Sequence, residues 1–128
     1  MPSDVIPLDI RKFILQNIDS VAQLEGLLLL RVNAEKSYNT ETIAKRLYIN
    51  QDEAAELLHQ LMERGFLSAD GKNPTLYQYA PQNPELEPMV KQVVELYARY
   101  LVPVTHLIHS KPKSKIQKFA DAFWIRKE

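Results

Sequence analysis

Apolar residues recur every three or four positions along most of the chain, the spacing of helices that bury one face. This pattern predicts a first short helix after Pro7. A second helix is predicted to open at Ser20-x-x-Gln23, which has the spacing of a capping box. The second helix carries four consecutive leucines at positions 27–30, which make it apolar on nearly all sides. We therefore expect it to lie centrally in the fold.

The middle of the chain, residues 40–80, predicts two helices followed by a strand pair. Thr40 is expected to cap a short helix and Asn50 to cap the next one. Gly65 follows the second helix, at the position where a left-handed backbone conformation favours glycine. Dense turn-forming residues then separate two short segments that are predicted to pair as an antiparallel hairpin, residues 66–68 and 76–80.

The last third of the chain contains the longest helical stripe. Pro103 should kink this helix, because proline cannot donate to the carbonyl of Arg99. A final short helix is predicted to open at Ser114-x-x-Gln117. The stripe could pack on the leucines of the second helix, or against a symmetry mate, and we expect both. Its members, expected to form a two-fold dimer interface, are Val90, Val94, Tyr97, Leu101, Val104 and Ile108.

Length and composition restrict the class of protein. A chain of 128 residues has room for one domain, which we divide into N-terminal helices (1–39), a central motif (40–80) and C-terminal helices (81–128). Without cysteine, the chain has neither disulfides nor thiol chemistry. No secretory leader and no apolar run of about 20 residues is visible in the sequence, which predicts a cytoplasmic protein without a membrane partner.

The central motif resembles the winged helix-turn-helix of bacterial regulators, including the MarR-type family. The resemblance covers about a third of the chain. It is carried by Thr40-x-x-Ile43-Ala44-x-x-Leu47-x-Ile49-Asn50 and by Ala54-x-x-Leu57-Leu58-x-x-Leu61-x-x-x-Gly65-Phe66-Leu67. It implies a mainly helical fold with a three-helix core, a two-stranded β wing and helical extensions at both ends. In many members of this family, the flanking helices form a homodimer.

The same resemblance implies a DNA-binding transcriptional regulator that acts as a homodimer on double-stranded DNA and is not an enzyme. In this family the second motif helix, here residues 51–64, enters the major groove. The face that would read bases is Gln51, Asp52, Ala55, Glu56, His59 and Gln60. The full set of expected DNA contacts, with the wing included, is Thr40, Lys45, Arg46, Asn50, Gln51, Ala55, His59, Gln60, Lys72 and Asn73.

The distribution of charge leaves a second interpretation open. The whole chain is formally neutral, but residues 40–80 contain four basic and six acidic residues, a net charge of −2. Carboxylates near DNA phosphates are repelled, whereas lysine and arginine release counterions. The alternative function is therefore a winged-helix protein-interaction module whose acidic second helix meets a basic protein partner.

Positive charge is concentrated near the C-terminus, where residues 99–128 have a net charge of +5. This segment would either contact phosphates or form an ordinary solvated face. Its candidate phosphate contacts are Lys111, Lys113, Lys115 and Lys118.

Other potential sites have weaker patterns. His106-x-x-His109 could share a metal ion, but no third ligand is evident nearby, so we expect capping or surface positions and no metal or other cofactor. Tyr77 and Tyr79 share one strand face, and Tyr97 and Tyr100 lie one helical turn apart. These tyrosines would either line a ligand crevice or pack in the core, which is the more common role of tyrosine. Catalytic motifs and glycine-rich phosphate loops are not found in the sequence.

Overall fold

Six helices and three short strands make up residues 5–110, the part of the chain that the computed structural model describes. The fold is a mainly helical winged helix-turn-helix, as the sequence predicts. The helices are α1 (Leu8–Asn17), α2 (Val21–Val32), α3 (Thr40–Leu47), α4 (Gln51–Glu63), α5 (Leu86–Arg99) and α6 (Leu101–His109). The strands are β1 (Ser37–Tyr38), β2 (Leu67–Ala69) and β3 (Tyr77–Tyr79).

Side-chain caps determine where three of the helices begin. The Ser20 hydroxyl accepts the N–H of Gln23 at 3.0 Å, which confirms Ser20 as the cap. The Gln23 side chain in turn accepts the N–H of Asp19 at 2.7 Å, one residue before the N–H that a capping box would use. The prediction for α3 is wrong by one residue. Asn39 is the cap, because its side-chain oxygen accepts the N–H of Thr42 at 2.8 Å, and Thr40 is the first helical residue.

The sheet has one strand more than the predicted two-stranded wing. β1 pairs antiparallel with β3, which also pairs with β2, so the strand order is β1-β3-β2. Ser37 lies opposite Gln78, and the Gln78 amide donates to the Ala34 carbonyl at 3.0 Å. Two residues are too few to show an alternating pattern, which is why the sequence does not reveal β1.

The core lies around α2, which contacts α3, α4 and β3. Leu24, Leu27 and Leu30 of α2 are fully buried, as the central position predicted for this helix requires. Phe13 of α1 meets Phe66 edge-on, with 5.9 Å between ring centroids. Within residues 5–110 no single helix is long and apolar enough to cross a membrane. Only α1 and α2 taken together pass that test, and they are bent by 101°.

The predicted kinked helix is in fact two helices. α5 ends at Arg99, and Tyr100 leaves the helical conformation with φ −131° and ψ 59°. Pro103 then occupies the first turn of α6, where its missing N–H leaves no helical hydrogen bond unmade. The proline therefore breaks the helix four residues upstream, near the carbonyl to which it cannot donate, and α5 and α6 both pack on α1.

Candidate nucleic-acid interface

Helices α3 and α4, joined by a tight turn, present most of the predicted DNA contacts. Ile43 and Ala44 of α3 face the core, whereas Lys45 and Arg46 are exposed. Lys45 forms an exposed ion pair with Glu41 at 3.2 Å. Such a pair is weak in water, so both cations of this helix are available to an anionic ligand.

Helix α4 has a buried face and an open face. Its side chains Ala54, Leu57, Leu58 and Leu61 fill the core. The Asn50 side chain caps the helix by accepting the N–H of Glu53 at 2.7 Å. On the open face, Gln51, Ala55 and His59 are exposed together. The structure thus brings these predicted residues onto one unobstructed surface.

Gln60 differs from the other predicted contacts on α4. Its side-chain oxygen accepts a hydrogen bond from the amide of buried Gln23 at 2.7 Å, and its amide donates to Glu56 at 3.3 Å. The side chain is half-buried in this network. Gln60 therefore already serves the packing of α4 on α2, and reading a base would require these bonds to break.

The open face of α4 is acidic. Asp52, Glu53 and Glu56 are exposed, and Glu63 pairs with His59 at 3.4 Å. Helix α4 contains no lysine or arginine. Arg64, which caps its C-terminal end, donates to Asp19, to the Asn17 carbonyl and to Gln23.

The tip of the wing, between β2 and β3, is held by one carboxylate. Asp70 Oδ1 accepts the backbone N–H groups of Lys72 at 3.0 Å and Leu76 at 3.1 Å, and these bonds lower the pKa of the carboxyl group. The hydroxyl of Thr75 donates to the Lys72 carbonyl at 2.7 Å. Lys72 and Asn73 are exposed on this loop.

The predicted dimer stripe is divided between the core and the surface. Val90, Val104 and Ile108 are fully buried within the chain itself. Val94 and Tyr97 are half-buried, and Leu101 is 54% exposed. Three members of the stripe are thus buried within one subunit, where α5 and α6 pack on α1 instead of on the leucines of α2 as predicted. Dimer formation stays a prediction.

Tyr97 connects the C-terminal helices to α2. Its hydroxyl donates to Glu25 at 2.6 Å, and burial together with this bond raises the pKa of Tyr97 to about 12. Tyr77 and Tyr79 are core residues, less than a tenth exposed. Core packing is therefore the role of these two tyrosines.

Several candidates on the C-terminal side contribute little to this surface. His106 and His109 are both exposed on α6. In the described part of the chain, no three His, Cys, Asp or Glu side chains are grouped closely enough to hold a metal ion. The predicted last helix at Ser114 and the phosphate contacts at Lys111, Lys113, Lys115 and Lys118 lie outside the described residues.

One polar cluster that the sequence analysis did not identify joins the motif to α5. Arg31 donates two hydrogen bonds to Glu87, at 2.7 and 3.2 Å, and the Tyr79 hydroxyl donates to the same carboxylate at 2.6 Å. The guanidinium lowers the pKa of Glu87, and burial raises that of Tyr79. Arg31 and Glu87 are 56 positions apart, so no local pattern could have indicated their contact.

The order α2-β1-α3-α4-β2-β3, with α1 before it and α5 and α6 after it, defines a winged helix-turn-helix core between helical extensions. Similar solved structures include the adhesin competence repressor AdcR from Streptococcus pyogenes, with a TM-score of 0.52 and 16% identity over 87% of this chain and 82% of that chain. A double mutant of Lactococcus lactis ZitR has a TM-score of 0.50 and 19% identity over 85% and 75% of the two chains. At these identities the likeness shows the fold. No protein-family model and no curated protein matches the sequence.

Proposed function

We propose that the protein is a DNA-binding transcriptional regulator of the winged-helix type. The observation that carries this proposal is the open face of α4, where Gln51, Ala55 and His59 are exposed and not covered by any part of residues 5–110. A helix needs such an unobstructed face to enter the major groove. The exposed wing residues Lys72 and Asn73 provide a second contact region, and a repressor with a similar fold supports this interpretation.

The finer part of the proposal is a bacterial, cytoplasmic, MarR-type regulator that acts as a homodimer. The exposed position of Leu101 and the half-buried positions of Val94 and Tyr97 leave part of the stripe for a second copy. A two-fold dimer would present two α4 helices to two half-sites of duplex DNA.

The test measures binding to a random duplex by fluorescence anisotropy at two salt concentrations, about 50 mM and about 200 mM. A regulator should bind more weakly at the higher salt, because phosphate contacts release counterions. Substitution of Lys45, Arg46 or Lys72 by Glu should weaken binding to all sequences and reduce the salt slope by about one for each phosphate contact removed.

Lys12→Glu provides the matched control, since Lys12 is an exposed lysine on α1, outside the motif. It should leave the salt slope unchanged. If the wild-type protein does not bind duplex DNA at either salt concentration, the regulator proposal is wrong. If Lys12→Glu weakens binding as much as Lys45→Glu does, the assignment of the interface is wrong.

The acidic open face of α4 favours a second candidate, a protein-interaction module with a basic partner. Asp52, Glu53 and Glu56 are exposed together, and Arg64 is engaged by Asp19 instead of offsetting them. Under this alternative, charge reversal at Asp52 and Glu56 should abolish capture of a lysine-rich peptide and leave the circular dichroism spectrum unchanged.

A further inference from the structure

The turn between α3 and α4 contains a tyrosine in an unusual backbone conformation. Tyr48 has φ 58° and ψ 43°, in the left-handed region. Within residues 5–110 it is the only non-glycine residue with a positive φ. Glycine or asparagine usually occupies such a position at the end of a helix, because a Cβ atom crowds the following carbonyl oxygen.

The backbone around Tyr48 explains why the conformation is required. The N–H groups of Tyr48 and Ile49 both donate to the Ala44 carbonyl, which ends α3. Asn50 then caps α4 two residues later. The left-handed residue thus reverses the chain between the two helices, and glycine would make the same turn with less strain.

The side chain of Tyr48 does not contribute to the packing of the fold. It is 95% exposed, and its hydroxyl has no hydrogen-bond partner among the described residues. Other tyrosines of the motif differ, since Tyr77 and Tyr79 are buried. The turn explains the conformation but not why tyrosine occupies the position, and strained non-glycine residues cluster at functional sites.

Two exposed cations lie close to Tyr48 along the chain. Lys45 and Arg46 occupy the last turn of α3, immediately before it, and Arg46 forms no ion pair within residues 5–110. Tyr48 also precedes Gln51, the first residue of α4, by only three positions. Phosphate oxygens of DNA are commonly bound by arginine, lysine and tyrosine side chains.

We infer that Tyr48 binds the phosphate backbone of duplex DNA, together with Lys45 and Arg46, and positions the N-terminal end of α4 over the groove. The inference rests on the proposed regulator function and adds to it a contact residue that the motif does not indicate. The hydroxyl donates to a phosphate oxygen, and the ring lies against the neighbouring sugar. A contact of this kind positions the protein on DNA without selecting the sequence.

The experiment compares Tyr48→Gly, Tyr48→Phe and the wild-type protein in thermal unfolding and in binding to a random duplex. Tyr48→Gly should raise Tm by roughly 2–5 °C, because strain is relieved, and weaken duplex binding about tenfold. Tyr48→Phe should leave Tm unchanged and weaken binding by a smaller factor. Gln92→Ala, at an exposed position on α5, is the control and should change neither quantity.

The outcomes separate this inference from the proposed function. If the wild-type protein binds duplex DNA with a salt-dependent affinity and Tyr48→Gly binds equally well, the role of Tyr48 is wrong and the regulator proposal stands. If the wild-type protein does not bind duplex DNA, both are wrong. A more stable Tyr48→Gly variant that binds more weakly supports both, because a folding defect would lower Tm as well as affinity.

Discussion

The Arg64 guanidinium donates to the Asp19 carboxylate, with 2.7 Å between Nη2 and Oδ2. This ion pair turns the arginine at the end of α4 toward the junction of α1 and α2. The Asp19 side chain is 11% exposed and that of Arg64 is 27% exposed, so the pair is well shielded from water. A residue whose charge could have offset the acidic face of α4 thus serves the packing of three helices.

Replacement of Arg64 by Met should lower the free energy of unfolding by about 1–3 kcal/mol. The substitution leaves Asp19 without this partner, and the Asn17 carbonyl and Gln23 each lose a hydrogen bond. Urea unfolding measures the change. Lys45→Met is the control, because its ion pair is exposed and should contribute less than about 0.5 kcal/mol. Equal destabilisation by the two substitutions would show that the Arg64 network does not support the fold.

Elements that depend on nearby residues were predicted well, and contacts between distant residues were not. Asn50 begins α4 and Gly65 ends it, each through its own backbone neighbours, so their roles are visible in a few residues of sequence. Asn39 and Thr40 are adjacent and both are good caps, which explains the error of one residue at α3. The destination of Arg64 depends on Asp19, 45 positions away, and only the folded chain brings the two together.

The candidate interface likewise has a part that the sequence predicts and a part that it does not. The open side of α4 follows from the spacing of its leucines, and Gln51, Ala55 and His59 are exposed as predicted. The engagement of Gln60 by Gln23 could not be predicted, because the helical pattern gives an angle around the helix and not the neighbour at that angle. Tyr48 was missed because the sequence shows a short turn but not which residue takes the left-handed conformation.

The cluster of Arg31, Glu87 and Tyr79 should make stability depend on pH. Arg31 lowers the pKa of Glu87 in the folded chain below its ordinary value of 4.5, so the carboxylate stabilises the fold above that pH. This contribution is lost as the pH falls through the folded pKa. We expect Glu87→Gln to lower the free energy of unfolding by about 0.5–1 kcal/mol near neutral pH, because Glu87 is partly exposed.

Urea unfolding of the wild type and Glu87→Gln over a pH series measures this effect. The difference in unfolding free energy between the two proteins should be constant above about pH 5.5 and should shrink below pH 4.5. A difference that grows as the pH falls has the wrong sign for a carboxylate stabilised in its charged form, and would contradict the role of Arg31.

The exposed end of α6 provides the test of the proposed homodimer. Leu101→Glu places a carboxylate on a residue that is 54% exposed, within the part of the stripe left for a second copy. We expect the molar mass measured by light scattering to fall from twice the chain mass to the chain mass, because a charge buried in an apolar interface without a partner is strongly unfavourable.

Val32→Glu is the matched control for this substitution, since Val32 is 76% exposed on α2 and lies outside the stripe. It should leave the mass unchanged. A wild-type protein that is monomeric at high concentration, or a dimer that survives Leu101→Glu, would show that the stripe does not form the interface.

A substitution at Glu56, on the acidic face of α4, distinguishes the two candidate functions. Glu56 is exposed beside Gln60, and its carboxylate repels phosphates if α4 enters the groove of DNA. For a regulator, Glu56→Lys should strengthen binding to random duplex about three- to tenfold at low salt and steepen the salt slope by about one, because one more cation then faces the backbone. Glu95→Lys makes the same charge change at an exposed position of α5 and should have a much smaller effect.

If α4 instead binds a basic protein, Glu56→Lys should abolish capture of a lysine-rich peptide, and its gain in duplex binding should not exceed that of Glu95→Lys.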